Sequence, residues 1–459
     1  MSSQTRVLHI VLLKTVYLYF KWLAQAFSSC RWLVKPLSRC RRYWVCCGFS
    51  FAIMFSIIGT WYLHAFIGCK PPSSLHSNWN VLKEMPIDRR MIHDNGLAQT
   101  PPMGWSHWNH FECNINETII RENVDAMISL GLPALGYQYV NIDDCWADFD
   151  RDSEGNLIAH PATFPSGIKA LADFVHKSGL KFGLYSDAGY KTCIGNRAAS
   201  LGHELQDALR FASWGVDHLK YDNCYHDGSP EHVRYAAMGE ALNKTGRPIL
   251  YSICEWGTET PALWAPKYGN SWRTSRDAKD RWKRVKLLAD DNNIWAAYAG
   301  PGGWNDPDML QVGNGRMSLA EYRSHFSLWA LMKAPLIIGC DLRMLDKRYL
   351  EIITNKEIID VNQDPLGVQG RKVSQQGFCN CLEVWAGPLS GGRIALVLWN
   401  RGWMSDVIIV KGHDLGLPLG AVTTIRDLWA HKNLPEKFTG SMQVKVGSHG
   451  CKMYLLTVT

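Results

Sequence analysis

The chain has 459 residues, of which 46% are hydrophobic and 20% charged, a balance typical of ordered globular proteins and not of disordered ones. The formal net charge is +7, but the first 43 residues hold eight lysines and arginines and no acidic residue. Subtracting eight from seven leaves −1 for residues 44–459. A main body so close to neutral argues against a nucleic-acid partner, and its length predicts two domains.

The first predicted element is a membrane segment. A run of 27 residues over 43–69 contains no Asp, Glu, Lys or Arg, and three arginines lie just before it. About 20 apolar residues span a bilayer as a helix. The positive-inside rule then predicts a basic cytosolic segment at 1–42, a signal anchor at 43–69 and a catalytic body in the lumen or outside the cell. A cleaved signal peptide is the competing interpretation, which would leave the body secreted, in the cell wall or in the vacuole.

Cysteines and glycosylation sequons agree with that compartment. Nine of the 14 cysteines follow the apolar run, as expected where disulfides form. Asn116 and Asn243 each begin an Asn-X-Thr sequon, an acceptor for N-glycosylation in the secretory pathway. We therefore predict a glycoprotein of the secretory pathway, in which a polar stem at 70–95 joins the anchor to the body.

Beyond the stem, strands and amphipathic helices alternate over 96–365. The clearest helix is Ser166–Lys177, which Gly179 ends. Eight candidate strands recur: Met103–Asn109, Tyr137–Trp146, Lys181–Gly189, His218–Cys224, Pro248–Trp256, Asn270–Ser275, Trp304–Leu310 and Pro335–Asp341. Alternation of this kind predicts a parallel sheet, and eight repeats predict an α/β fold of the (β/α)₈ TIM-barrel type.

Acidic side chains mark the carboxyl ends of these predicted strands. They are Asp143, Asp144, Asp187, Asp222, Glu255, Asp277, Asp308 and Asp341. For any one of them a helix cap or a loop contact is the commoner role. Active sites of (β/α)₈ barrels nevertheless lie at this face, so the whole set predicts a catalytic face.

After residue 365 the pattern changes to short strands separated by turns. The candidates are Leu382–Trp385, Ile394–Trp399, Val407–Val410, Val422–Ile425 and Met453–Val458. Because no long helical pattern interrupts them, we predict an antiparallel β-sandwich domain at 366–459. Cys379 and Cys381 lie at its start. A bridge between cysteines so close is strained, which favours free thiols or longer-range partners.

Two of the carboxylates suit a retaining glycosidase, in which one acid attacks the anomeric carbon and the other donates and accepts the proton. Lys220 lies two residues before Asp222, so both side chains point to the same side of a strand. That cation would lower the pKa of Asp222 and keep the nucleophile ionised, although a plain structural ion pair explains the same spacing. Asp277 would be the acid/base, with Arg273 nearby to bind hydroxyls.

The adjacent acids Asp143 and Asp144 point to opposite faces if the chain is extended there. At the end of a strand, however, one or both could hold two neighbouring sugar hydroxyls. Carboxylates and aromatic rings together are typical of a carbohydrate site, and the chain contains 20 tryptophans.

Six motifs follow one another in a recognisable order. They are Met103–Phe111, Asn141–Trp146, Lys220–Cys224, Cys254–Gly257, Trp272–Thr274 and Gly302–Met309. The set resembles the motifs of the melibiase-type α-galactosidases (glycoside hydrolase family 27), in particular those of the plant branch. The resemblance covers about residues 95–459, and it implies both the barrel and the sandwich.

The resemblance also implies residue roles. Asp222 would be the nucleophile and Asp277 the acid/base of a double displacement that retains the anomeric configuration. The galactose ring would be held by Trp108, Asp143, Asp144, Lys220, Arg273, Asp308 and Met309. Cys254 and Trp256 would lie beside the sugar 2-position, where an N-acetyl group does not fit. The resemblance implies the disulfides Cys113–Cys145 and Cys193–Cys224, and no metal or other cofactor.

The chain departs from the family pattern directly before Asp277, where Arg276 replaces a glycine. If the glycine serves a positive φ or a close approach to the sugar, Arg276 strains the turn or narrows the aglycone side. It would also lower the pKa of Asp277 if its charge lay close. The alternative is that Arg276 points to solvent. The long N-terminal anchor is also atypical of the family.

The leading interpretation is a retaining exo-α-galactosidase that removes terminal non-reducing α-D-galactosyl residues from oligosaccharides or cell-wall glycans. A β-L-arabinopyranosidase of the same family is a close alternative, because its sugar lacks only the C6 hydroxymethyl group. A membrane-tethered glycan-binding protein without turnover is a further alternative. Only Arg276 favours this glycan-binding alternative, and the presence of both catalytic carboxylates, Asp222 and Asp277, argues against it.

Overall fold

A parallel sheet of eight strands forms the first part of the structure, a computed structural model that describes residues 94–458. The strands are β1 (Met103–Ser106), β2 (Tyr139–Asn141), β3 (Lys181–Asp187), β4 (His218–Asp222), β5 (Leu250–Ile253), β6 (Ser271–Arg273), β7 (Trp304–Asp306) and β8 (Leu336–Ile338). They pair in the order β7-β6-β5-β4-β3-β2-β1-β8. The predicted TIM-like parallel sheet is therefore confirmed.

The two edge strands of this sheet, β7 and β8, meet through one residue. The Leu310 N–H donates to the Ile337 carbonyl at 2.8 Å, and the Leu310 carbonyl accepts from the Gly339 N–H at 3.2 Å. The other neighbours share ladders, up to five paired positions between β3 and β4. The seam between β7 and β8 is thus joined more sparsely than the rest of the sheet.

Every predicted barrel strand contains one of the eight, but the observed strands end earlier. The second prediction, Tyr137–Trp146, shows why, because only residues 139–141 pair. Beyond them the Asp143 carboxylate accepts from the Asp144 N–H at 2.9 Å, and the Asp144 carboxylate accepts from the Cys145 N–H at 2.7 Å. Side chains therefore replace the neighbouring strand as hydrogen-bond partners of the backbone.

Nine α-helices lie among the described residues. They are α1 (Trp108–Phe111), α2 (Glu117–Ser129), α3 (Gly167–Lys177), α4 (Glu204–Trp214), α5 (Glu231–Lys244), α6 (Trp282–Asn293), α7 (Leu319–Leu331), α8 (Lys347–Ile353) and α9 (Lys356–Asn362). Local sequence sets several of their ends. Asn116 caps α2 by accepting from the Ile119 N–H, and Ser318 and Glu321 form a capping box at the start of α7. Helix α3 begins one residue later than predicted.

The second part of the structure is built from antiparallel strands, as predicted. Its strands are β9 (Arg371–Gln376), β10 (Leu382–Leu389), β11 (Arg393–Asn400), β12 (Asp406–Lys411), β13 (Thr423–Asp427), β14 (Lys432–Asn433), β15 (Ser441–Val446) and β16 (Cys451–Val458). Six of them pair in the order β14-β13-β16-β11-β10-β9, and β12 pairs with β15. Strands β9, β14 and β15 were missed by the sequence interpretation because their polar residues gave no apolar run.

The Cys379 and Cys381 prediction is wrong. The structure pairs the two in a disulfide, with Cα atoms 5.1 Å apart, so neither is a free thiol or reaches a distant partner. Both flank Asn380, whose φ is +51°, and this left-handed turn brings the two Cα atoms within bridging distance.

One apolar core extends across both parts. Buried Trp385 and Trp399 of the second part belong to the same cluster as the barrel core, and Trp399 packs edge-on against Trp282 of α6 at 5.5 Å. A smaller cluster lies within the antiparallel part alone. The packing therefore joins the two predicted domains into one hydrophobic body.

The predicted cytosolic segment and signal anchor, and the predicted stem up to residue 93, lie outside the described residues. Among residues 94–458, no helix is long and apolar enough to cross a membrane.

Candidate active site

Asp222 is the last residue of β4 and is buried, with 6% of its surface exposed. Its carboxylate accepts from the Tyr185 hydroxyl at 3.1 Å and from the Asn223 N–H at 3.1 Å. Burial raises the pKa of Asp222 to about 6. The Lys220 ammonium lowers this pKa, as predicted, but burial outweighs it. The expectation of a net low pKa for the nucleophile is therefore wrong in the free protein.

Lys220 forms its ion pair with Asp143 and not with Asp222. The distance from Lys220 Nζ to Asp143 Oδ2 is 2.7 Å, and the Asp143 side chain is 4% exposed. Burial alone would lower the pKa of Lys220, but Asp143 and the other nearby acids raise it well above its usual value. Lys220 is therefore a permanent cation that joins the end of β4 to the chain after β2.

Asp277 lies past the end of β6, and 59% of its side chain is exposed. Arg273 Nη2 donates to Asp277 Oδ1 at 3.2 Å, and Arg284 Nε donates to the Asp277 backbone carbonyl at 2.7 Å. Burial raises the pKa of Asp277, but the charges of Arg273, Lys220 and Arg284 outweigh it and the net pKa is lowered.

Arg276 is exposed to solvent, so the alternative of a solvent-facing side chain is confirmed. Its φ is not positive, unlike those of 11 other non-glycine residues of the described chain, and the expected strain of the turn is therefore wrong. The largest charge effects on the pKa of Asp277 come from Arg273 and Lys220 instead.

Asp308 anchors the segment that carries Asp277. Its Oδ2 accepts from the Ala278 N–H at 2.6 Å and lies 3.4 Å from Arg273 Nη2. The φ of Asp308 is +80°, a costly conformation that commonly marks functional sites. The indole of Trp329 donates to the Asp308 carbonyl at 2.7 Å and supports this conformation.

Asp144 holds a second loop at the same face. Its Oδ2 accepts from the Ile194 N–H at 3.1 Å, beside the Cys193–Cys224 disulfide. Burial raises the pKa of Asp144. The structure also pairs Cys113 with Cys145, so the disulfides that the resemblance implied fasten the loops after β1, β2, β3 and β4.

A cavity inside the eight-stranded sheet brings six of the predicted residues together. It is lined by Asp143, Lys220, Cys254, Arg273, Asp308 and Met309. Trp108 and Trp256 are half-buried at the same face and lie outside this lining. Trp256 has a φ of +60°, so its turn is strained as well.

Three of the eight strand-end acids do other work. Asp187 is buried, and its carboxylate accepts from the Cys224 N–H at 2.8 Å. Asp341 caps the short 3₁₀ turn at Leu342–Met344 and bonds Arg343, as in the helix-cap alternative. Glu255 is fully buried, and burial together with Glu231 raises its pKa to about 8.

Tyr185 and Glu231 were missed by the sequence interpretation. Tyr185 bonds Asp222, and Glu231 accepts from the Asn223 side chain at 2.7 Å. Tyr185 lies two residues before Asp187 on β3, so the alternation that linked Lys220 to Asp222 would have placed it on the site side. No comparable signal marks Glu231, because it begins a helix.

Comparison with known proteins agrees with this geometry. A protein-family model described as alpha galactosidase A matches residues 100–364, and one described as the alpha galactosidase C-terminal beta sandwich domain matches residues 379–456. The alpha-galactosidase of Cyamopsis tetragonoloba is 57% identical over 80% of this chain and 89% of its own length.

Solved structures give the same result. Alpha-galactosidase I from Mortierella vinacea aligns with a TM-score of 0.76 and 39% identity, over 80% of this chain and 98% of its own. The Saccharomyces cerevisiae enzyme with raffinose aligns with a TM-score of 0.74 and 31% identity, over 80% and 99%. A β-L-arabinopyranosidase from Geobacillus stearothermophilus aligns over 80% and 98% with a TM-score of 0.73, but at 24% identity it shows the fold alone. The chain belongs to the melibiase-type α-galactosidase family, in its plant-like branch.

Proposed function

We propose that this chain is a retaining exo-α-galactosidase that removes terminal α-D-galactosyl residues from oligosaccharides or cell-wall glycans. One observation carries the proposal. Asp222 and Asp277 lie at the same face of the sheet, one buried and one exposed, and the charge of Asp277 contributes to the raised pKa of Asp222. A buried nucleophile and a proton donor open to the leaving group are what a double displacement needs.

In the first step, the Asp222 carboxylate attacks the anomeric carbon and Asp277 gives its proton to the glycosidic oxygen. The bond to the aglycone breaks, and a galactosyl ester of Asp222 forms. The Tyr185 hydroxyl and the Asn223 N–H hold the two Asp222 oxygens, so the attacking atom is fixed before the sugar arrives.

In the second step, Asp277 takes a proton from a water molecule, which attacks the anomeric carbon and releases Asp222. Asp277 is ionised after the first step, and because the ester of Asp222 carries no charge, the pKa of Asp277 falls and the carboxylate stays ionised beside Arg273 until it takes the proton of the water. The same residue therefore serves as acid and then as base.

The rest of the site would hold the ring. Asp143, paired with Lys220, and Asp308, close to Arg273, present charged hydrogen-bonding groups to sugar hydroxyls in the shared cavity. Asp144 would add a further carboxylate. Trp108 and Met309 would supply apolar contact, and Cys254 and Trp256 would border the 2-position.

The test is hydrolysis of nitrophenyl α-galactoside by the purified body. We expect Asp222→Asn to abolish turnover while the melting temperature stays near that of the wild type. Asp227→Asn is the matched control, since Asp227 lies on the loop after β4 and is exposed, and it should keep full activity. Wild-type-like turnover by Asp222→Asn would remove Asp222 as nucleophile.

Nitrophenyl β-L-arabinopyranoside, assayed beside it, tests the alternative activity. We expect the α-galactoside to have the higher kcat/KM. A higher kcat/KM for the β-L-arabinopyranoside would instead indicate a β-L-arabinopyranosidase. If the folded protein hydrolyses neither substrate, the glycan-binding alternative would be favoured.

We also propose that residues 1–42 are cytosolic, 43–69 anchor the chain, 70–95 form a stem, and 96–365 and 366–459 form a glycosylated lumenal body. Two disulfides at the active-site face and exposed sequon residues Asn116 and Asn243 support this. Protease protection of the full chain in microsomes, with a glycosidase-sensitive mass shift, is the expected result. A freely secreted, truncated product would instead support a cleaved signal.

A further inference from the structure

Basic side chains are concentrated in the segment that follows Asp277. Arg276, Lys279, Arg281 and Lys283 are all exposed, and Arg284 is half-buried. Within residues 94–458, the side chains of Arg276, Lys279 and Lys283 make no hydrogen bond or ion pair. These five residues are called the basic rim below.

Acids within the segment do not neutralise the basic rim. Asp280 is buried and accepts from the Tyr322 hydroxyl at 2.8 and 2.9 Å and from the Arg316 N–H at 2.7 Å. Asp277, the only other acid between β6 and α6, is paired with the buried Arg273. The segment therefore presents a net positive surface to solvent.

Contacts tie the basic rim to the acid/base residue. Arg284 Nε donates to the Asp277 backbone carbonyl at 2.7 Å, and Arg276 directly precedes Asp277 in the chain. The Ala278 N–H donates to Asp308, which lines the cavity inside the sheet. Two cations of the basic rim, Arg276 and Arg284, are thus tied directly to Asp277, and the other three follow in the same segment.

The start of α6 also favours an external anion. Lys283 and Arg284 lie in its first turn, and no acid is there to offset them. Cations at this end of a helix are opposed by the helix dipole, so the arrangement lowers local stability. Sequence features that lower local stability, such as these cations at the start of α6, commonly occur at functional sites.

Asp277 protonates the glycosidic oxygen, so groups on its exposed side face the departing aglycone. We propose that this chain prefers α-galactosides whose aglycone is anionic, such as a uronic acid, with the basic rim binding the negative group. This inference rests on the proposed function and names its substrate class.

An anionic aglycone would also improve the chemistry. The pKa of Asp277 is lowered in the free protein by Arg273, Lys220 and Arg284, which weakens a general acid. A negative group bound at the basic rim offsets part of this positive field and raises that pKa. The preference is therefore expected in kcat as well as in KM.

The test compares α-galactosyl-(1→4)-galactose with α-galactosyl-(1→4)-galacturonate, which differ only at C6 of the aglycone. At 20 mM salt and pH 5 we expect a kcat/KM about 10-fold higher for the galacturonate, falling severalfold at 500 mM salt because exposed charges are screened. The double variant Arg276→Gln/Lys283→Gln should bring the ratio of the two kcat/KM values close to one.

Lys432→Gln is the matched control, since Lys432 is an exposed cation of β14 in the antiparallel part, and it should keep the wild-type ratio. A ratio of one in the wild type, or a preference that neither salt nor the double variant changes, would overturn this inference and leave the α-galactosidase proposal intact. Failure to hydrolyse either disaccharide or nitrophenyl α-galactoside would overturn the proposed function itself.

Discussion

Asp222 and Asp277 have pKa shifts of opposite direction, and each shift opposes the role that we propose for the residue. Burial raises the pKa of the nucleophile to about 6, whereas Arg273 and Lys220 lower that of the acid/base in spite of its partial burial. The two carboxylates interact, so their protons belong to the pair and not to either residue. A bound sugar would bury Asp277 further and shift the shared proton toward it.

The pH dependence of kcat/KM follows from this pair. Turnover needs one proton on the two carboxylates, and the pair holds one proton only between the lowered pKa of Asp277 and about 6. We therefore expect an acidic optimum and a fall of about tenfold per pH unit above pH 6. Steady-state rates from pH 3 to 8 measure this.

The variant Asp277→Asn tests whether the fall in rate above pH 6 comes from loss of the proton on the carboxylate pair. With an aryl galactoside whose leaving group needs no proton, the fall above pH 6 should vanish in this variant, because only Asp222 still titrates and it must be ionised. A wild-type profile that stays level from pH 5 to 8 would contradict the shared-proton account.

Tyr185 offers a second test at the scale of a single residue. Tyr185→Phe removes the hydroxyl that donates to Asp222 Oδ2 at 3.1 Å. Hydrogen bonds to charged groups are worth about 1.5–3 kcal/mol, so we expect kcat/KM to fall about 10- to 100-fold. Because the ionised form of Asp222 loses a donor, its pKa should rise, and the fall on the alkaline side of the pH profile should move to higher pH.

Tyr190→Phe is the control, as Tyr190 lies on the loop after β3 with 60% exposure. It should behave as the wild type. Equal effects of the two substitutions would show that loss of a hydroxyl near β3 disturbs the fold and not the nucleophile.

At the scale of an element, the turn after β5 depends on a proton held by Glu255. Glu255 accepts from the Gly257 N–H at 2.9 Å and the Glu259 N–H at 2.8 Å. The Thr258 hydroxyl lies within 2.9 Å of both Glu231 and Glu255. The turn carries Trp256 and connects through Glu231 to Asn223, next to the nucleophile.

Glu255→Gln should therefore change how stability depends on pH. Burial and Glu231 raise the Glu255 pKa from 4.5 to about 8, so the folded state keeps a proton that the unfolded chain releases. The stability from this group is complete below about pH 4.5 and is lost as pH rises to 8, by up to about 1.4 kcal/mol per pH unit. Glutamine does not ionise, so we expect a smaller fall in Tm between pH 5 and 8 in the variant.

Glu240→Gln provides the comparison, because Glu240 is an exposed residue of α5. Thermal melts at both pH values should show the wild-type fall for Glu240→Gln. An identical fall in all three proteins would mean that Glu255 is already ionised in the fold at pH 5.

At the scale of the whole molecule, the two predicted domains share their hydrophobic core. Trp282 of α6 contacts Trp399, and Arg401 of the antiparallel part forms ion pairs with Asp290 of α6 at 2.7 Å and with Glu383 at 2.8 Å. Full burial of one large apolar side chain contributes about 1.5–3 kcal/mol, so several across one junction exceed the stability of many proteins.

We therefore expect residues 94–459 to unfold in one calorimetric transition, and a chain that ends at residue 365 to be insoluble or to lack a cooperative melt. Two separate transitions, or a cooperative melt of the shortened chain, would show that the barrel stands alone.

Much of this architecture could be predicted from the sequence, because strand periodicity and strand-end acids are local signals. The alternation of side chains along β4 predicted that Lys220 and Asp222 point to the same side of the strand. The six motifs identified the other candidate site residues. Partners were harder to predict. That Lys220 pairs with Asp143, or that Glu255 meets Glu231, depends on which strand ends the fold brings together. Net pKa directions depend on burial, which a strand-by-strand analysis does not give.

The sparse seam between β7 and β8 has a consequence for motion. Amide hydrogens exchange fastest where few backbone bonds must open, and within residues 94–458 only Leu310 links these two strands. We expect deuterium to enter β7 and β8 before β3 and β4, which share five paired positions. The side of the site that carries Asp308 and Met309 would then open locally more often than the side that carries the nucleophile Asp222.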